Sequence, residues 1–141
     1  MIRRVKINEY PRLEEVWDSA VSNTHHFLVK EDFEYFKKNI VNYFEFVELY
    51  VHINSTEQIT GFIGVADDNL EMLFIHNDFR GSGLGKLLLN YAIDRLHISK
   101  VDVNEQNQQA VGFYEHMGFR LLNRSETDGQ GKPYPILHLG L

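Results

Sequence analysis

The stretch Arg80-Gly-Ser-Gly-Leu-Gly-Lys86 sets three glycines between two cations, after the apolar run Met72-Leu-Phe-Ile75 and before a strongly periodic segment. Glycine lets backbone come close to a ligand with no Cβ in the way, and the first turn of a helix leaves its N–H groups unpaired. A glycine turn opening a helix therefore describes an anion site, helped by the positive end of the helix dipole and by the charges of Arg80 and Lys86. Two other phosphate loops fail on the same residues. A P-loop needs glycine at position 80 and Ser or Thr at 87, where Arg80 and Leu87 stand. The G-x-G-x-x-G fingerprint needs glycine at 86 or 88, where Lys86 and Leu88 stand. From this stretch alone, a tight turn with no ligand remains the alternative.

The elements that must position this turn read as follows. Ile2, Val5 and Ile7 suggest an edge strand, with Asn8 as a cap and Pro11 in the first turn of a helix to about Val21 that carries Leu13, Val16, Trp17 and Ala20 at helical spacing. A second helix is expected from Glu31 to about Val41; Ser22 to Val29 between the two has no clear period. Phe46–Ile53 and Ile59–Ala66 read as a hairpin, Met72–Ile75 as a short central strand, and Gly83 to about Leu96 as an amphipathic helix. A strand near Lys100–Val103, a helix near Gln108–Met117 closed by Gly118, and strands near Phe119–Ser125 and Tyr134–Leu139 complete the chain. Helices inserted along a mostly antiparallel sheet place the fold in the α+β class. Thr127 to Pro133 is the one late loop-like stretch.

Composition narrows the chemistry. With 141 residues, 43% of them hydrophobic, one domain over residues 1–141 is expected. The absence of cysteine removes disulfides, thiolate metal sites and cysteine nucleophiles together. The seven histidines form no H-E-x-x-H pattern, so no catalytic metal is expected. A net charge of −6 and the lack of a basic stripe argue against nucleic acid and suit a cationic partner. No apolar run approaches the roughly 18 residues of a membrane span, and the N-terminus lacks the apolar core of a signal peptide, so no membrane partner and a cytoplasmic location are expected.

Arg80-x-x-Gly83-x-Gly85 after an apolar strand resembles the Q/R-x-x-G-x-G/A signature of the GNAT acyltransferase superfamily. A second block, Asn107-Gln-Gln-Ala-Val-Gly-Phe-Tyr-Glu-His-Met-Gly-Phe119, is similar to that family's N-x-x-A-x-x-F-Y-x-x-x-G-F segment. Trp17, the Thr24-His25-x-Phe27-Leu28 run and Gly131-Lys-Pro-Tyr-Pro-Ile-Leu137 extend the likeness, to a small stand-alone bacterial subgroup, over essentially the whole chain. The resemblance implies a bent, mixed sheet of about seven strands with about four helices, parting beside Met72–Ile75 to admit coenzyme A. Backbone groups of Leu73, Phe74 and Ile75 would then pair with the pantetheine arm, and N–H groups of Arg80, Gly81, Ser82, Gly83, Leu84, Gly85 and Lys86 would hold the pyrophosphate. Asn107 would bond the pantetheine or the acetyl end. One departure is Asn77, where many relatives carry proline; a looser turn is expected there.

The implied activity is acetyl transfer from acetyl-CoA to a primary amine of a small molecule or peptide, by direct attack in a ternary complex. Such a reaction needs a neutral nucleophile, stabilisation of the developing oxyanion, and a proton for the thiolate. Tyr114, at the family's tyrosine position, is the expected acid; without the family it reads as a core aromatic. Glu71 is the expected base or head of a water chain, against the reading of a solvated strand-end carboxylate beside Asp67 and Asp68. His25, Phe27, Trp17 and Tyr134 are the candidate acceptor contacts, against ordinary packing roles. Two other classes stay open on the residues: an acyl-CoA sensor without turnover, and an interaction domain whose glycine turn binds nothing. A homodimer is a further expectation, through the last strand if its edge is bare.

Overall fold

The computed structural model describes residues 1–141. β1 (Ile2–Arg4) passes through a 3₁₀ turn into α1 (Tyr10–Thr24) and α2 (Lys30–Phe44). β2 (Glu48–Ile53), β3 (Ile59–Ala66) and β4 (Asn69–Ile75) follow, then a second 3₁₀ turn (Asn77–Phe79) and α3 (Leu84–Leu96). β5 (Lys100–Asn104), α4 (Gln108–His116), β6 (Arg120–Ser125) and β7 (Ile136–Gly140) end the chain. The element order is the expected one.

Boundaries differ where local signals are weak. Asn8 lies within the first 3₁₀ turn, Glu9 takes the N-cap position of α1, and the helix runs to Thr24. Burial of Leu13, Val16, Trp17, Ala20 and Val21 holds α1 on the sheet, and the side chains of Ser22, Asn23 and Thr24, each donating to a residue four back, accompany its last turn. β4 begins at Asn69, three residues before the apolar run, because Asn69 and Leu70 are the residues that pair with β5.

The seven strands form one sheet in the order β1-β2-β3-β4-β5-β7-β6. Every pairing is antiparallel except β4 with β5. α1 and α2 cover one face through a cluster that includes Leu13, Val16, Phe44, Val51 and Phe62. α3 and α4 cover the other through Leu88, Leu89, Val101, Tyr114 and Leu139. The last strand, β7, lies between β5 and β6, so the expectation of a bare edge on it for a second subunit is corrected: the free edges belong to β1 and β6. No helix is long and apolar enough to cross a membrane.

Candidate active site

The site begins as a fault in the sheet. β4 pairs with β5 only at Asn69↔Lys100 and Leu70↔Val101, whereas β5 continues along β7 to Asn104. At the point of divergence the β3–β4 register slips: Gly64 faces Met72 and Val65 faces Leu70, leaving Glu71 as the extra residue of a β-bulge. A bulge bends its strand and re-aims a side chain, and here it turns the rest of β4 away from β5. Leu73, Phe74 and Ile75 are left with one edge free of any strand. Gly61 keeps β3 tight behind that edge, since a Cβ there would stand 2.6 Å from Ile75 Cδ1 and 2.8 Å from the Phe74 carbonyl oxygen.

A cavity of about 330 Å³ opens along this edge. It is lined by Leu73, Phe74, Ile75, Arg80, Gly81, Gly83, Leu84, Gly85, Lys86, Asn107 and Tyr114, so nearly all the residues expected to hold coenzyme A share one wall. Ser82 does not reach it; its Oγ donates to the Phe79 carbonyl at 2.6 Å and closes the turn. Gly81 and Gly83 have φ of 79° and 81°, which other residues adopt only with strain, and a Cβ on either would project into open space. No side chain caps α3, whose first intrahelical partner is Leu87 N–H on the Gly83 carbonyl at 3.0 Å. The N–H groups from Gly81 to Lys86 donate to no backbone acceptor, so the turn presents the cradle of donors that an anionic diphosphate requires.

Asn77, expected to loosen the preceding turn, does the reverse. Its N–H, which proline lacks, donates to Ser19 Oγ of α1 at 2.9 Å and ties the 3₁₀ turn down. Gln109, not singled out from the sequence, accepts from Arg80 at 2.9 Å and bridges the glycine turn to α4; its place in the second family block was the available signal.

Asn107 is the N-cap of α4, and its Oδ1 accepts from the Ala110 N–H at 3.3 Å. That bond takes one of the two Oδ1 lone pairs, and the amide Nδ2, which makes no hydrogen bond within the protein, is free to donate to a ligand. Tyr114 is 6% exposed and lines both the first cavity and a second of about 160 Å³ between β4 and β5. No buried polar side-chain atom lacks a partner, and the Tyr114 hydroxyl meets these cavities rather than a protein acceptor. Burial pushes its phenol well above the ordinary value, keeping it a proton donor through the neutral range. Glu71 faces the second cavity with Asp102, Asn104 and Asn107, not the first. Partial burial pushes its carboxyl up; a hydrogen bond from Asn69 opposes the shift and Asp102 adds to it.

The expected acceptor contacts separate into two groups. His25 lines both of these cavities and a third of about 270 Å³ on the α1–α2 side. Trp17 and Tyr134 line only the third, together with Glu71 and Asp128, while Phe27 packs beside His25 at 5.2 Å and lines none of them. Trp17 is 4% exposed and stacks on Phe33, so packing accounts for most of its surface. The Tyr134 hydroxyl donates to Asp32, which also takes Lys132 at 3.0 Å, and accepts from the Val29 N–H at 3.3 Å. With Asp128 Oδ1 accepting from the N–H groups of Gln130 and Lys132, the late loop is folded on itself and pinned to α2. It borders the third cavity through Asp128 and Gln130.

Known proteins resemble this chain over nearly its whole length. A family model described as an acetyltransferase (GNAT) domain matches residues 14–134. The peptidyl-lysine N-acetyltransferase YjaB of Escherichia coli (strain K12) is 38% identical over 138 residues, which are 98% of this chain and 94% of that protein. The solution structure of apo YjaB from Escherichia coli superposes with a TM-score of 0.89, covering 99% of this chain and 95% of that one at 38% identity. The ribosomal-protein-S18-alanine N-acetyltransferase of Escherichia coli, 20% identical, covers 100% of this chain and 92% of its own with a TM-score of 0.69, a likeness of fold.

Proposed function

The chain belongs to the GNAT family of acetyltransferases, and from that premise we propose that it acetylates the side-chain amine of lysine in a peptide or protein, with acetyl-CoA as donor. The family's activity is acetyl transfer to an amine, with acetyl-CoA as co-substrate. The observation that carries the finer reading is the split between β4 and β5. A donor cradle and a free strand edge lie along the first cavity, and Tyr114 reaches from it into a second that carries Glu71. The third cavity, with Trp17, Phe36, Tyr43, Phe74 and Tyr134 on its walls and Glu71 and Asp128 among them, suits a long apolar stem ending in a cation.

In this reading the turn from Gly81 to Lys86 holds the diphosphate, the edge of Leu73 to Ile75 receives the pantetheine amides, and the Asn107 amide donates to the arm. Bound there, acetyl-CoA supplies a thioester carbonyl open to nucleophilic attack. Glu71 draws the ammonium in and takes one proton toward solvent, leaving a neutral amine. The nitrogen bonds to the acetyl carbon as the carbon–sulfur bond breaks with its electron pair on sulfur, and Tyr114 protonates that sulfur. Of three ammonium hydrogens, one leaves before attack, one leaves as the amide forms and restores Tyr114, and one stays on the amide. The chain holds no cysteine, so thiol covalent catalysis is outside its repertoire.

The test is thiol release from acetyl-CoA with a lysine peptide as acceptor. Tyr114→Phe is expected to lower kcat about 100-fold while leaving stabilisation by coenzyme A intact. Glu71→Gln is expected to remove the acid limb of the pH–rate profile, which the raised carboxyl sets. Unchanged turnover in Tyr114→Phe, or an unchanged limb in Glu71→Gln, removes that residue from the scheme.

A further inference from the structure

His25 is the C-cap of α1, at the point where three cavities meet: the one along the glycine turn, the one holding Glu71 and Tyr114, and the one on the α1–α2 side. Its hydrogen bonding is directional. Thr24 Oγ1 donates to the Ala20 carbonyl at 2.7 Å, a bond that uses its only proton. The 2.7 Å contact between Thr24 Oγ1 and His25 Nδ1 must then run the other way, with Nδ1–H as donor. An imidazole that carries its proton on Nδ1 and stays neutral has a bare lone pair on Nε2. It does stay neutral: burial, with His26 beside it, holds the ring down at about 4. The ionisable groups on the walls of the second and third cavities are Glu71, Asp102, Asp128, Tyr43, Tyr114 and Tyr134, while the cations Arg80 and Lys86 stand on the first, at the glycine turn. An incoming ammonium is therefore drawn to the second and third cavities, where the ring itself offers an uncharged acceptor.

We infer that His25 seats the acceptor amine: its Nε2 accepts an N–H hydrogen bond from the nucleophilic nitrogen and so turns the nitrogen lone pair toward the acetyl carbon. The assignment rests on the acetyl-transfer reading and adds to it a contact that orients the attacking nitrogen. A neutral primary amine carries two hydrogens, one to donate to Nε2 and one to lose as the amide forms and Tyr114 is restored. Thr24 is the positioning residue behind it, since without that hydroxyl the ring is free to take the other tautomer. The pairing is also local in the chain, so the helical turn that ends α1 presets it before any ligand arrives.

Nitrogen NMR of the unliganded protein at neutral pH tests the tautomer directly. The expected spectrum has a protonated Nδ1 and an unprotonated Nε2 for His25, and a shift toward the mixed signature of free histidine in Thr24→Val. A protonated Nε2 in the wild-type protein overturns the inference. Kinetics tests the role. His25→Phe keeps a ring beside Phe27 and should keep stabilisation by coenzyme A, yet kcat/KM for a lysine peptide should fall about 10- to 100-fold. His25→Gln, whose amide oxygen reaches the place of Nε2, should recover most of that loss. Should coenzyme A stabilise neither wild type nor variants, the acetyl-transfer reading itself fails. Should it stabilise all of them while His25→Phe turns over like wild type, only the role given to His25 fails.

Discussion

Two side chains at the cleft stay neutral over a wider span of pH than they would in water, and both shifts follow from burial. The phenol of Tyr114 is kept neutral to high pH, and the imidazole of His25 is kept neutral to about 4, so the cleft carries its negative charge on carboxylates. Linkage gives the histidine a measurable consequence. Between its ordinary 6.5 and about 4 the unfolded chain binds a proton at His25 that the folded chain refuses. Stability therefore rises with pH across that window and falls on acidification, by roughly 3 kcal/mol at the limit. Denaturant unfolding of wild type and His25→Gln at pH 7 and pH 4.5 checks this: the variant should lose less stability on acidification. Equal losses would show that the ring is hydrated in the native state.

Among elements, β4 decides the most, because one inserted residue converts a paired strand into the wall of a cleft. Its position depends on Gly61 behind it, where a methyl group has no room against Ile75 and Phe74. Gly61→Ala is expected to lower stability by about 1–3 kcal/mol and to weaken coenzyme A binding, as β4 shifts toward the cleft. Calorimetry with the cofactor checks both, and a variant as tight-binding and stable as wild type would show that β3 yields instead. The first elements are joined by charge. Arg3 of β1 makes a two-pronged pair with Glu9 at 2.9 and 2.7 Å, and the Lys6 N–H adds a third bond at 2.8 Å. The Arg3 hydrogen bond, foremost, moves the Glu9 carboxyl from 4.5 to about 2. A carboxyl lowered in the fold stabilises above its unfolded value and ceases to as the pH falls through the folded one. Acid unfolding of Glu9→Gln should accordingly lack the part of the wild-type transition between about 4.5 and about 2, read by circular dichroism. On the far half of the sheet, Asn69, Asp102, His138 and Ser125 bond in series across β4, β5, β7 and β6. This row ties the half that carries α4 to the strand that carries Glu71.

At the scale of the molecule, the sheet joins two cores, one under α1 and α2 and one under α3 and α4, and the cleft runs where its two halves separate. A ligand lying in that split touches β4, α3 and α4 together, so binding should stabilise the whole fold. At 100 times its Kd, acetyl-CoA is expected to add about 2.7 kcal/mol, near 10 °C in Tm for a chain of this size. NAD and ATP, compared at the same concentration, should shift it much less. A shift equal for all three would mean that the turn reads diphosphate alone and the strand edge takes no part.

The sequence by itself determined the order of elements and the donor-rich glycine turn, because both rest on local chemistry. A glycine with positive φ before a helix start, an asparagine capping a helix, and apolar residues at fixed spacing all act within a few residues of one another. Arg80 to Lys86 and Asn107 to Tyr114 were legible for that reason. Only tertiary structure decided that Glu71 is a bulge residue rather than a strand-end carboxylate, since a bulge exists only in the register between two strands. The same holds for β7 lying inside the sheet, for the loop of Thr127 to Pro133 being pinned through Lys132 to Asp32, and for Trp17 packing mainly on Phe33. Each of these depends on groups far apart in the chain, and no local pattern encodes which of them meet.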